Sequence, residues 1–87
     1  MYTITFIKQQ DKMEKLKKET VEVNSMAIKK AKYNYDNSRL KLTFVNGKQY
    51  NYDNVPIDKF ISMKYSESIG KFINKHILRK YEYTYVE

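Results

Sequence analysis

The sequence contains no cysteine and no tryptophan, one proline, one histidine and two glycines among 87 residues. Without cysteine there is no disulfide framework, so stability rests on what the chain can bury. One histidine and no cysteine exclude an ordinary zinc site, which needs several nitrogen or sulfur ligands. No apolar run approaches the roughly 18 residues of a membrane span, so no membrane association is expected. The opening MYTITFIKQQ has no basic stretch followed by a long apolar one. It does not read as a signal peptide, and cytoplasmic residence is the expectation.

What the sequence does contain is positive charge and tyrosine. Lysine and arginine number 17 against 10 acids, for a net charge of +7. Residues 24–87 hold twelve of the basic residues and six of the acids, so the surplus sits in the main part of the chain. A field of that sign attracts polyanions or an acidic protein surface, and it also serves plain solubility. Nine tyrosines and four phenylalanines supply the large rings. A chain of this length buries only about 60–65% of its unfolded surface, so aromatics must carry much of the core.

Periodicity divides the chain into a weakly specified arm, residues 1–23, and a better specified domain, residues 24–87. In the arm, Tyr2, Ile4 and Phe6 alternate with Thr3 and Thr5, as in a strand. Asp11 is a cap for a short helix to Lys18, and Thr20 to Val23 leans toward strand again. In the domain, Ile28 to Tyr35 reads as a strand. Leu40, Leu42 and Phe44 alternate with Arg39, Lys41 and Thr43. Asn46-Gly47 predicts a hairpin through a type I′ turn, whose two central residues both need positive φ. The return strand runs from Lys48 to Asp53. Pro56 then opens a helix to about Tyr65. Ser66 and Ser68 cap a second, Ser68 to Arg79, with Ile69, Phe72, Ile73, His76 and Ile77 on one stripe. The alternating tail Tyr81 to Tyr85 can add a strand. The fold class is therefore α+β: a three- to four-stranded antiparallel β-meander packed against two short C-terminal helices, with an N-terminal β/α arm.

Residues 25–86 resemble the KTSC domain family. The resemblance is carried by Ser25, Ile28, Tyr33 seven residues before Leu40, the run Leu40 to Phe44, Asn46-Gly47 and the Tyr50-Asn51-Tyr52 signature. Val55-Pro56, Phe60, Met63, Ser68, Gly70, Phe72, Asn74, Ile77, Tyr81 and Tyr83 continue it without a gap. No single piece is specific; the joint spacing is. Lys32-Tyr33-Asn34 stands where the family usually has Gly-Tyr-Asp, and Tyr65 and Ser66 stand where a small residue usually precedes Ser-x-Gly. Residues 1–23 lie outside the pattern. The resemblance implies a stand-alone form of a domain named for a segment at the C-terminus of some lysyl-tRNA synthetases. It also implies the RNA-binding role suggested for that family.

No catalytic constellation emerges from the residues. His76 lies on the apolar stripe, where a packed core histidine is the plainer reading than a base. Ser25, Ser66 and Ser68 read as turn or cap residues, and Asp36, Asp53 and Asp58 as loop-end carboxylates rather than Mg²⁺ ligands. The expectation is a protein that is not an enzyme and takes no cofactor and no metal. Tyr50 and Tyr52 read either as a base-stacking platform or, more simply, as part of the core. Tyr81, Tyr83 and Tyr85 are better placed for exposure. Lys71, Lys75 and Arg79 form a basic helix face with Lys80 adjacent, and Lys29, Lys30 and Lys32 form a second cluster. If the two converge they make one phosphate-tracking patch; otherwise they are solvated faces.

The first functional expectation is a small basic module binding RNA or single-stranded DNA through Lys29, Lys30, Lys32, Lys71, Lys75, Arg79, Lys80, Tyr81 and Tyr83. The alternative is a phage or mobile-element accessory protein. It would inhibit a host nucleic-acid-processing or defence enzyme through the basic face and the arm. The edge of Tyr2–Ile7 is then the place for pairing with a partner or a second copy, as a homodimer.

Overall fold

The computed structural model describes residues 17–86. The expected strand at Tyr2–Ile7 and the dimer edge placed there fall outside the described residues, as does the expected helix from Asp11 except at its end, where Lys18 stands not in a helix but at the start of a strand paired in the sheet. Within them, five strands form one antiparallel sheet: β1 (Lys18–Glu22), β2 (Ile28–Asn34), β3 (Arg39–Phe44), β4 (Gln49–Tyr52) and β5 (Tyr83–Val86). Strand order follows chain order. Two helices, α1 (Ile57–Lys64) and α2 (Ile69–His76), are inserted between β4 and β5. The fold is the expected α+β meander with two short helices. Its sheet exceeds the expected three to four strands because both the segment before Ser25 and the tyrosine-rich tail pair into it. No helix among the described residues is long and apolar enough to cross a membrane.

Period-two alternation sorts each strand into an inward and an outward face. Ala31 and Tyr33 on β2, Leu40 and Leu42 on β3, and Tyr52 on β4 point inward and are buried. Phe60 and Met63 of α1 and Ile73 of α2, with Ile77 just beyond it, cover them from the other side. Ile28 joins the same core one bulge earlier, where the β2–β3 register shifts between Ile28 and Lys30. Tyr33 is almost fully buried and stacks on Phe60, with ring centroids 4.6 Å apart and planes 10° from parallel. Its hydroxyl donates to the Val55 carbonyl at 2.7 Å, which satisfies both buried polar groups.

Turn chemistry differs from expectation at the hairpin. The Gly47 N–H donates to the Phe44 carbonyl, and Phe44 N–H to the Lys48 carbonyl, so Val45, Asn46 and Gly47 form a three-residue loop. Only Gly47 has positive φ, at 90°. This is a type I turn followed by a left-handed glycine, not the type I′ turn that Asn-Gly suggests. The Asn46 Oδ1 accepts from Lys48 N–H at 3.0 Å and helps hold the loop in that form.

The second helix is shorter than its periodicity implied. Ser68 caps it, accepting from Lys71 N–H, but it ends at His76. Leu78 N–H bonds back to Ile73, five residues earlier, and Lys80 N–H to Ile77. Arg79 then adopts φ 68°, which turns the chain out of the helical path. At its start the helix runs against the loop before β2. A Cβ on Gly70 would lie 2.9 Å from both Cβ and Oγ of Ser25.

Two substitutions test this packing. Gly70→Ala forces the helix away from Ser25 and is expected to cost about 1–3 kcal/mol. Tyr33→Phe leaves the Val55 carbonyl buried without its donor and is expected to cost about 1–3 kcal/mol. Thermal melts read both. For a domain of this size each kcal/mol lowers Tm by about 4–8 °C.

Candidate nucleic-acid interface

On the inward face, burial is complete at β2 and β3, partial at β4 and lost at β5. At the uncovered end the sheet register places Tyr50 beside Tyr85 and Tyr52 beside Tyr83. Centroid separations are 5.2 Å for Tyr50–Tyr85, 5.6 Å for Tyr50–Tyr83 and 5.6 Å for Tyr52–Tyr83. Phe44 meets Tyr50 edge-on at 5.7 Å. Tyr52 is buried and burial raises its pKa, whereas Tyr83 and Tyr85 stay 59% and 47% exposed. The two readings of the tyrosines therefore divide along the sheet. Tyr52 is core, Tyr50 is half-buried, and the tail rings form an open aromatic surface.

A groove of about 380 Å³ runs over this surface, lined by Phe44, Tyr50, Tyr52 and Tyr83, with Lys48 and Arg79 contributing cations. Lys80 and Tyr81 line an adjoining recess that shares Arg79 and Tyr83 and also carries Asp53 and Glu82. Arg79 reaches the groove because its left-handed backbone takes it off the helix. That conformation costs a non-glycine residue about 1–3 kcal/mol, and such strain persists where the surroundings impose it.

The two basic clusters read from the sequence do not converge. Lys71 stands near the loop Asn24–Ala27, with Asn74, on the helical layer. Lys75 is exposed further along α2. Lys30 and Lys32 lie on the outward face of the sheet, the side away from the helices, and Lys29 sits in the β2 bulge. Arg79 lies beyond the end of α2, so Lys71, Lys75 and Arg79 do not form one helical stripe. Arg79, Lys80, Tyr81 and Tyr83 are brought together. Tyr50 and Tyr85, weighed from the sequence as a stacking platform or core residue and as an exposed ring, complete their surface together with Phe44 and Lys48, to which no such role was given. Cross-strand register puts them there, and alternation within a single strand does not reveal it.

His76 is half-buried and packs on Phe72, centroids 4.5 Å apart. Partial burial lowers its pKa, and Lys59, Lys75 and Lys80 push it the same way. Among the described residues no three histidines or carboxylates stand close enough to hold a metal ion.

One charged cluster ties β1 to the helices. The Tyr35 hydroxyl donates to Glu19 at 2.6 Å, and Lys64 of α1 forms an ion pair with the same carboxylate. The hydrogen bond from Lys64 lowers the Glu19 pKa, and the bond from Tyr35 adds to it. Burial first, and then the carboxylate, push Tyr35 up to about 12.

A sheet in chain order, covered on one face by two helices, defines a small α+β domain. A KTSC domain family model matches residues 24–81, more than half of the chain, and the chain belongs to that family. The fold is similar to the crystal structure of a KTSC domain protein from Yersinia pestis. The TM-score is 0.72 and the identity 25%, over 80% of this chain and 99% of that one. No curated protein matches. The residues matched by the family model begin after β1, so the Glu19 contacts join a strand outside that model to a helix within it.

The pH dependence of that cluster follows from its shifts. Glu19 has a depressed pKa when folded, so its contribution is present above about 4.5 and lost as pH falls below that value. Tyr35 has a raised pKa, so its contribution is present below 10 and lost as pH climbs toward 12. Glu19→Gln is expected to cost about 1–2 kcal/mol at neutral pH and to flatten both limbs of the stability–pH curve. Urea midpoints between pH 3 and 11 measure this.

Proposed function

We propose that this chain is a non-enzymatic module that binds single-stranded nucleic acid in the groove between β4, β5 and the turn after α2. One observation carries the reading: Tyr83 and Tyr85 stand exposed beside Tyr50, and Lys48 and Arg79 line a groove with Tyr50 and Tyr83. Stacked bases need aromatic faces, and the phosphates linking them need cations alongside. The groove supplies both within one register of the sheet. The +7 net charge supports the reading at longer range by concentrating polyanions near the surface.

In this reading specificity for sequence is low, because every base offers a π-face to a stacking ring. Tyr83 and Tyr85 stack bases. Arg79 and Lys48 contact phosphates, and Lys80 adds field from the adjoining recess. Lys71 and Lys75, on the helical layer, contribute long-range attraction only.

Fluorescence anisotropy with a labelled oligoribonucleotide and its DNA equivalent tests the proposal. Affinity is expected to fall with salt, log K dropping by about 0.7 per neutralised phosphate for each tenfold rise. The double variant Tyr83→Ala/Tyr85→Ala is expected to weaken binding at least tenfold, from stacking worth about 1–3 kcal/mol per base. Arg79→Gly is expected to keep or raise Tm while weakening binding, since glycine relieves the left-handed backbone but removes the cation. No binding to any oligonucleotide at low salt would overturn the proposal and favour an acidic protein partner for the same charge.

A further inference from the structure

The outward face of the sheet, opposite the groove, carries a second concentration of charge. Alternation and register place Lys18, Lys30, Lys32, Arg39 and Lys41 on it, with Glu22, Asp53 and, opposite Asp53, Glu82 as the acids. Glu22 is the cross-strand partner of Lys30, and Asp53 is taken by Arg39, whose Nε donates to it at 2.8 Å. Lys32 and Lys41 are left directly opposite each other on β2 and β3. Like charges at that position destabilise a sheet, and no ion pair among the described residues offsets them. A local arrangement that works against the fold marks a place where something other than folding is served.

The surroundings of this lysine pair form a recess of about 180 Å³, lined also by Lys18, Arg39, Asn34, Asn37 and Asn51. It is smaller than the roughly 300–1,000 Å³ of pockets that enclose drug-sized ligands, so it suits one small group. The Oδ1 atoms of Asn34 and Asn37 are used by the β2–β3 turn, accepting from the N–H groups of Asp36 and Arg39. Their NH2 groups remain as donors. Asn51 is the exception in a wall of donors: its Oδ1 is shut off from water and accepts no hydrogen bond among the described residues. A buried acceptor without a donor costs about 1–3 kcal/mol.

We infer that this recess is a binding site for a phosphate monoester, such as a sugar phosphate. The phosphate sits between Lys32 and Lys41, turning their repulsion into two charge-assisted contacts, with Lys18 and the amides of Asn34 and Asn37 completing its shell. The site is independent of the aromatic groove, which lies on the other side of the sheet. The same chemistry is offered by a free sugar phosphate and by the phosphorylated 5′ end of an RNA chain.

Amide spectra of the full chain, titrated at low salt with inorganic phosphate and then with ribose 5-phosphate, test the inference. Shifts are expected at Lys18, Lys32, Lys41 and Asn51 and not at Tyr83 or Tyr85, with ribose 5-phosphate binding at least as tightly as inorganic phosphate. Lys32→Gln/Lys41→Gln is expected to weaken binding at least tenfold while raising Tm, because it removes the like-charge pair. Lys71→Gln/Lys75→Gln, with the same change in net charge, is expected to leave binding unchanged. A 5′-phosphorylated oligoribonucleotide that shifts these amides more strongly than its 5′-hydroxyl counterpart would identify the chain end as the source; response to ribose 5-phosphate alone would identify the free ligand. Equal weakening by both double variants, or shifts spread over all the lysines, would reduce the face to a counterion atmosphere and overturn the site. So would the absence of any shift.

Discussion

The stacking of Tyr33 on Phe60, closed by the hydroxyl's bond to Val55, is the contact on which the arrangement of layers depends. It fixes α1 against the middle of the sheet. It also anchors the segment after β4, since Val55 N–H donates to the Ser38 carbonyl in the β2–β3 turn. Tyr35 meets both rings edge-on, at 5.1 Å to Tyr33 and 6.0 Å to Phe60, and passes the constraint to β1 through Glu19. With α1 held there, two helices of eight residues each, about 12 Å long, cannot also cover the far strands. The open aromatic surface at β4 and β5 follows from where the helices are pinned.

The sheet is thus asymmetric in two directions. Along its inward face it passes from dry core at Leu40 and Leu42 to half-exposed tyrosine at the β5 edge. Across its thickness it passes from aromatic to cationic. Lys32 follows Ala31 and precedes Tyr33, and Lys41 lies between Leu40 and Leu42, so the same alternation that builds the core sets the charge on the reverse side. No separate design is needed for the two surfaces, because a strand with one apolar face must put its other residues somewhere.

Much of this was legible in the residues themselves. The Leu40–Phe44 alternation, the turn at Asn46-Gly47 and the Ser68 cap each express a local preference that the fold respects. Where reading the sequence failed, the deciding interaction was non-local or lay in one backbone angle. The end of α2 at His76 could not be read from the stripe, which continues through Ile77. Arg79 leaves the helix through a positive φ that no local propensity favours for arginine. The assembly of Phe44, Tyr50, Tyr83 and Tyr85 needed the β4–β5 register, across some thirty intervening residues. The Lys32–Lys41 juxtaposition needed the β2–β3 register in the same way.

The strand order, which simply follows the chain, has a kinetic side. Four strands pair with immediate sequence neighbours across short turns, so most of the sheet zips up without closing large loops. The β4–β5 ladder alone must wait for both helices to form and fold back, and it carries the larger loop-closure entropy. Tyr83 and Tyr85, the exposed rings of the aromatic surface, thus ride on the strand whose pairing spans the longest stretch of intervening chain, while Tyr50 and Tyr52 stand on its locally paired neighbour.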